Sequence, residues 1–99
     1  MTTTYNHEVV ELSLYIDNDY HLYMHRLPEY IRTLDKHQQR GRFQKERALV
    51  LLERFVEEGA KQYHKEFGTP SDKWYTIFTP VIRREVAESI LDEYLDGFH

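Results

Sequence analysis

The sequence predicts an all-α fold, a compact bundle of four or five helices in one domain spanning residues 1–99. Three observations carry that expectation. Apolar residues recur at helical spacing in four separate stretches. Only one segment also alternates as a strand would, and a lone strand has nothing to pair with. Finally, glycine and proline stand where helices should stop and start, at Gly68, Thr79-Pro80 and Gly97.

The first element is the ambiguous one. In YNHEVVELSLYI, residues 5 to 16, Val10, Leu12, Leu14 and Ile16 alternate, whereas Tyr5, Val9, Leu12 and Ile16 follow helical spacing behind Asn6, a candidate N-cap. With no second strand in view, helix is the expected state. From Asp19 to about Lys36 a second stripe runs through Leu22 or Tyr23, Leu27, Tyr30 or Ile31, and Leu34. Pro28 lies inside it. A proline removes one helical hydrogen bond and crowds the preceding turn, at a cost of about 3 kcal/mol. Because the stripe keeps phase, one helix kinked at Pro28 is expected rather than two. DKHQQRGR then makes a polar link.

The central helix is expected from about Phe43 to Phe67, capped by Gly68. Ala48, Leu52, Phe55, Val56, Gly59 and Tyr63 share a face, which Leu51 widens. A glycine inside a helix costs about 1 kcal/mol relative to alanine, so Gly59 implies that another helix crosses closely there. Glu57 with Lys61, and Arg54 with Glu58, stand four apart and can pair along the helix. GTPSD is a loop in which Ser71 can cap a short helix carrying Trp74, Ile77 and Phe78, a plug for one end of the core. Thr79 and Pro80 start the last helix, about 80 to 96, which buries Ile82, Val86, Ile90, Leu91 and Tyr94 before Gly97 stops it.

Composition narrows the function classes. Hydrophobic residues make up 40% and charged residues 30%, ordinary for a globular chain. The longest apolar run, ALVLL at 48 to 52, is far short of a membrane span. MTTTYNHE lacks the features of a secretion signal, so the host-cell cytosol is the expected location. Without cysteine, disulfides and thiolate metal sites are excluded. Scattered glycines form no phosphate-cradling loop, and Ser13, Ser71 and Ser89 have no nucleophile context. No enzymatic activity and no cofactor are expected.

The net charge of −4 is unevenly laid out. Residues 1 to 25 carry Glu8, Glu11, Asp17 and Asp19 without a base, a net of −4. Residues 26 to 47 set Arg26, Arg32, Lys36, Arg40, Arg42, Lys45 and Arg47 against Glu29, Asp35 and Glu46, a net of +4. Residues 48 to 99 return to −4. Internal pairing of the basic middle with the acidic ends is the plain expectation, and two separate binding faces are the alternative.

Three constellations are candidate sites. In SLYIDNDYHLYMH, Asp17, His21 and His25 stand four apart, and histidines at this spacing can bind zinc with a carboxylate as third ligand. However, DND reads best as a turn in which Asp17 or Asp19 caps the next helix, leaving His21 and His25 as weak ligand candidates. On the last helix, Glu85, Glu88, Asp92 and Asp96 follow at spacings of three and four, with Glu93 beside them and only Arg84 as an in-helix partner. Acids in a last turn oppose the helix dipole, so local stability does not ask for this ridge. It could remain a solvated face or dock on a basic surface of a protein partner. Lastly, RGRFQKER places Arg40, Arg42, Lys45 and Arg47 around Phe43, the basis of an alternative reading as a nucleic-acid-binding protein using segment 32 to 47.

The run YNHEVVELSLYIDNDYHLY resembles the opening of an uncharacterised family of small phage- and plasmid-borne proteins. Members begin with an Asn-Tyr-Glu-Thr-Trp type stretch and reach an Ile-Asp-Asn-Asp type turn about ten residues later. Asn6, Glu8, Leu14, Ile16, Asp17, Asn18, Asp19 and Tyr23 fit that pattern, and Val10 and Tyr15 stand where the family usually has tryptophan. The resemblance covers residues 5 to 23, with a similar acidic ending in VAESILDEYLDG. It implies a mobile-element setting and transfers no catalytic or binding residue. Context and charge together give the expected function: a non-enzymatic accessory protein that binds a protein partner, such as an anti-CRISPR or anti-restriction inhibitor of host defence.

Overall fold

A computed structural model describes residues 6–69 and 72–97, with side chains from residue 7 onward. Five α-helices follow in order: α1 (Asn6–Asn18), α2 (Leu27–Gln39), α3 (Lys45–Phe67), α4 (Trp74–Ile77) and α5 (Pro80–Leu95). A π-helical turn, Leu22–Arg26, runs directly into α2. No strand occurs among the described residues, so the alternation in the first segment is incidental to a helix. Leu12 and Ile16 face inward while Val10 and Leu14 are exposed, as a helical period requires. Tyr5, the Asn6 side chain and Ser71, all given roles above, lie outside the described side chains.

The long helix α3 is the axis of the fold and packs against every other α-helix. Its inward face, Ala48, Leu49, Leu52, Phe55, Val56, Gly59 and Ala60, is buried. Around it close Leu12 and Ile16 of α1, Leu22, Leu27 and Leu34, Phe78, and Ile82, Val86, Ala87, Ile90 and Leu91 of α5. No polar or charged residue is buried in this core. Gly68, at φ 78°, ends α3 with its N–H donating to the His64 carbonyl. Thr79 Oγ1 accepts from Ile82 N at 3.5 Å and so caps α5, with Pro80 at the first helical position. Phe78 is the plug at the α4 end, and Trp74 and Ile77 pack half-buried beside it.

The irregularity expected at Pro28 falls in the turn before it. The Leu27 N–H reaches back five residues to the Leu22 carbonyl. Pro28 has no N–H and its ring would crowd the carbonyl four residues earlier. A widened turn relieves both problems while the chain stays helical. It also settles the ambiguity in the stripe: Leu22 is buried and Tyr23 is 36% exposed. The step from Leu22 to Leu27 is five residues, one more than an α-helix uses, and the π turn absorbs the surplus residue.

α1 crosses α3 at Gly59. A Cβ there would lie 2.8 Å from Ile16 Cγ1 and 2.9 Å from Ile16 Cδ1, inside any real contact distance. Because Ile16 is itself buried, it has little room to retreat. Gly59→Ala is expected to destabilise the protein by about 1–3 kcal/mol through overpacking. In an Ile16→Ala background the same change should instead stabilise by up to about 1 kcal/mol, the helix-propensity gain. Urea unfolding of the four proteins measures this; stabilisation by Gly59→Ala in both backgrounds would rule out the close crossing.

Candidate functional site

The corner between α1 and the π turn is built on Asp19. Its Oδ1 accepts from Leu22 N at 2.9 Å, while its Oδ2 accepts from Gln62 Nε2 of α3 at 2.6 Å. One carboxylate therefore caps the second helical segment and ties the corner to α3. Asp17 sits elsewhere, on a small cleft with Ser13 of α1 and Ser89 and Glu93 of α5, where desolvation raises its carboxyl pKa although the residue is largely exposed. His21 and His25 are exposed with ring centroids 5.8 Å apart, and Tyr20 meets His25 edge-on at 5.3 Å. No group of three His, Cys, Asp or Glu side chains suited to a metal forms among the described residues. The stretch thus offers two ligands and a turn.

Four of the helix-to-helix polar contacts share one chemistry, a tyrosine hydroxyl donating to a carboxylate. Tyr15 donates to Glu66 at 2.7 Å and Tyr94 to Asp35 at 2.6 Å. Tyr63 donates to Glu11, and Tyr30 to Glu58. These four clips join α1 to α3 twice, α2 to α3 once and α2 to α5 once. A neutral phenol beside a carboxylate, partly withdrawn from water, resists ionisation. Burial first and then the Glu66 contact push Tyr15 up to about 12. The Glu11 contact and burial do the same for Tyr63, and burial with the Asp35 contact for Tyr94, each to about 12. Tyr30 is raised as well, chiefly by burial.

Two arginines organise the acids. Arg26, the last residue of the π turn, grips Glu58 of α3 with Nε at 2.9 Å and Nη2 at 3.0 Å, and holds Glu29 through Nη1 at 2.6 Å. The Arg26 fork keeps the Glu58 carboxyl below the usual range despite partial burial. Arg84 of α5 holds Glu46 through Nη2 at 2.8 and 3.0 Å and reaches Glu53 through Nη1 at 3.3 Å. Its Nε lies 3.9 Å from Glu88, a loose ion pair. Two further cations flank α4: Trp74 has Lys61 Nζ 5.6 Å and Arg83 Cζ 5.0 Å from its ring centroid.

The acidic ridge of α5 splits in two. Glu88 shares Arg84, while Glu85 is half-buried and makes no ion pair with a described residue. Asp92, Glu93 and Asp96 are exposed and unpaired among the described residues. The basic middle does not behave as internal pairing requires. Of its seven bases only Arg26 forms an ion pair with a described residue. Arg40, Arg42, Lys45 and Arg47 are all exposed and carry no such partner. Of Glu57 with Lys61 and Arg54 with Glu58, only the first pair forms, at 3.8 Å, because Glu58 turns to Arg26 instead.

The class that the fold defines is a small all-α bundle, in which the exposed acids of the last turns of α5 and the exposed bases from Arg32 to Arg47 make no ion pair with a described residue. No protein-family model, no curated protein and no solved structure matches the chain.

Asp19→Ala should cost about 1–2 kcal/mol in chemical unfolding, the range for loss of a cap. His21→Ala with His25→Ala should stay within about 0.5 kcal/mol of the parent, as surface changes do. Excess zinc should leave the parent's melting temperature unchanged, and a rise that the double histidine variant abolishes would restore the metal reading. The tyrosine clips set an alkaline limit. Their phenols ionise near 10 when unfolded and near 12 when folded, so the folded chain holds more protons in that window. Stability is therefore fully present below pH 10 and falls as pH rises through 12. The urea midpoint followed from pH 8 to 12 should fall less steeply in a Tyr15→Phe, Tyr63→Phe, Tyr94→Phe variant.

Proposed function

We propose that this protein is a non-enzymatic accessory protein of a phage or plasmid that acts by binding a protein partner through the acidic face of α5. The observation that carries the reading is that Asp92, Glu93 and Asp96, all exposed, make no ion pair with a described residue. The two bases of α5 are engaged elsewhere, Arg84 with Glu46, Glu53 and Glu88 and Arg83 with Trp74 and the Phe78 carbonyl. An acidic last turn opposes the α5 dipole, by about 0.3–1 kcal/mol per charge at an exposed end. A basic partner surface would turn that local cost into attraction, speeding encounter and fixing orientation. The resemblance of residues 5 to 23 to mobile-element proteins supplies the setting. In such a setting the matching basic surface is the nucleic-acid groove of a host defence enzyme, which makes the protein an anti-CRISPR or anti-restriction inhibitor.

The test is affinity capture from host lysate with mass-spectrometric identification, followed by direct binding with the purified partner. Glu88→Gln, Asp92→Asn and Asp96→Asn together should weaken binding at least about tenfold and reduce its salt dependence, since rim charges act mainly through encounter. Capture unchanged by the triple variant would remove the ridge from the interface.

A further inference from the structure

α2, the link and the start of α3 carry a second charged surface, of opposite sign to the α5 ridge. Arg32 and Lys36 stand four apart on the outer face of α2, opposite buried Leu27 and Leu34 and about 6 Å apart along the axis, and Arg40 follows at the C-cap. Arg42 of the link and Lys45 and Arg47 in the first turn of α3 follow in the chain. All six are exposed, and none makes an ion pair or side-chain hydrogen bond with a described residue. The two acids interspersed among them are engaged by α5. Asp35 accepts from Tyr94, and Glu46 is gripped by Arg84 at 2.8 and 3.0 Å, which also lowers its carboxyl pKa. Tertiary contacts with α5 thus engage the two carboxylates that the sequence places among the bases, leaving the bases themselves free.

We infer that this edge is a nucleic-acid-binding surface that contacts the phosphate backbone of duplex DNA, independently of the acidic ridge on α5. Exposed cations that no described acid pairs can contact successive phosphates and need no pocket. Single-stranded nucleic acid is a poorer fit, because it is held by stacking on exposed aromatic rings. The aromatic residue of the link, Phe43, is half-buried against the core, with its ring 6.5 Å from that of Tyr94. An anionic membrane is a poorer fit as well. Membrane-surface helices pair their cations with an apolar face, and α2 exposes no large apolar side chain, while the first turns of α3 expose only Val50. Backbone contact without base-edge readout makes the binding indifferent to sequence.

Fluorescence anisotropy with a labelled 20-base-pair duplex of mixed sequence, using the full chain, tests the inference. Binding is expected in the micromolar range at 50 mM NaCl, weakening by about a thousandfold by 200 mM if all six cations engage. Arg40→Gln, Arg42→Gln and Lys45→Gln together should weaken it at least about tenfold and make the log–log salt slope shallower by about 2–3, with the circular dichroism spectrum unchanged. Asp92→Asn with Asp96→Asn should retain duplex binding, so failure of the ridge as a protein interface leaves this surface standing. No binding at 50 mM NaCl would overturn the inference, as would an undiminished affinity of the triple variant. Tighter binding to the matching single strand, or to phosphatidylserine vesicles in preference to duplex, would overturn the assignment of the partner.

Discussion

The contact between Ile16 and Gly59 sets the geometry on which the remaining packing depends. α1 approaches α3 so closely that a single methyl on α3 would overlap Ile16. At that separation Leu12 and Ile16 sink fully into the core, and the corner at Asp19 comes within reach of Gln62 on the next turn of α3. The Tyr15–Glu66 and Tyr63–Glu11 clips then close side by side next to the crossing, with the two tyrosine rings 5.2 Å apart. Packing brings the helices together without a buried polar group, and the tyrosines fix their register from the half-exposed rim. A phenol suits this role because its ring stays against the core while its hydroxyl reaches the carboxylate of a neighbouring helix.

Pro28 imposes the second constraint, and the π turn answers it. One extra residue between Leu22 and Leu27 keeps both leucines inward across a position that cannot donate a hydrogen bond. Arg26 at the end of this turn grips Glu58, so the site of backbone irregularity is also the site of the firmest polar anchor between the second helix and α3. With its start held there and its C-terminal half joined to α5 by Tyr94 and Asp35, α2 presents its basic face outward along its whole second half.

Ion pairing is unevenly distributed among the described residues. The cross-helix pairs use Arg26 and Arg84, one at each end of the basic middle or beyond it, and leave the six bases between Arg32 and Arg47 unpaired among the described residues. The acids of α5 past Glu88 are likewise unpaired. Mixed charge usually neutralises itself locally on a surface. Here α5 engages the acids of the basic segment, while Asp92, Glu93 and Asp96 in its own last turns make no ion pair with a described residue.

The sequence by itself determined four or five helices, their apolar faces and several of their ends, because period, capping residues, prolines and glycines act within a few residues of one another; it ended the second helix at about Lys36, and α2 runs on to Gln39. It also announced the close crossing, since an interior glycine in a strong helix demands a tertiary reason. It left Asp17 and Asp19 equivalent as caps, and Leu22 and Tyr23 equivalent as core residues. The five-residue step to Leu27 was nonetheless a local sign of the π turn. What only the tertiary structure decided is who pairs with whom. The four tyrosine clips span 28 to 59 residues of chain, and Arg84 reaches 38 residues back to Glu46. Such partners are chosen by how helices pack, and no local spacing encodes them. For the same reason the basic middle looked self-neutralising as a string of letters and stands unpaired once α5 has claimed its acids.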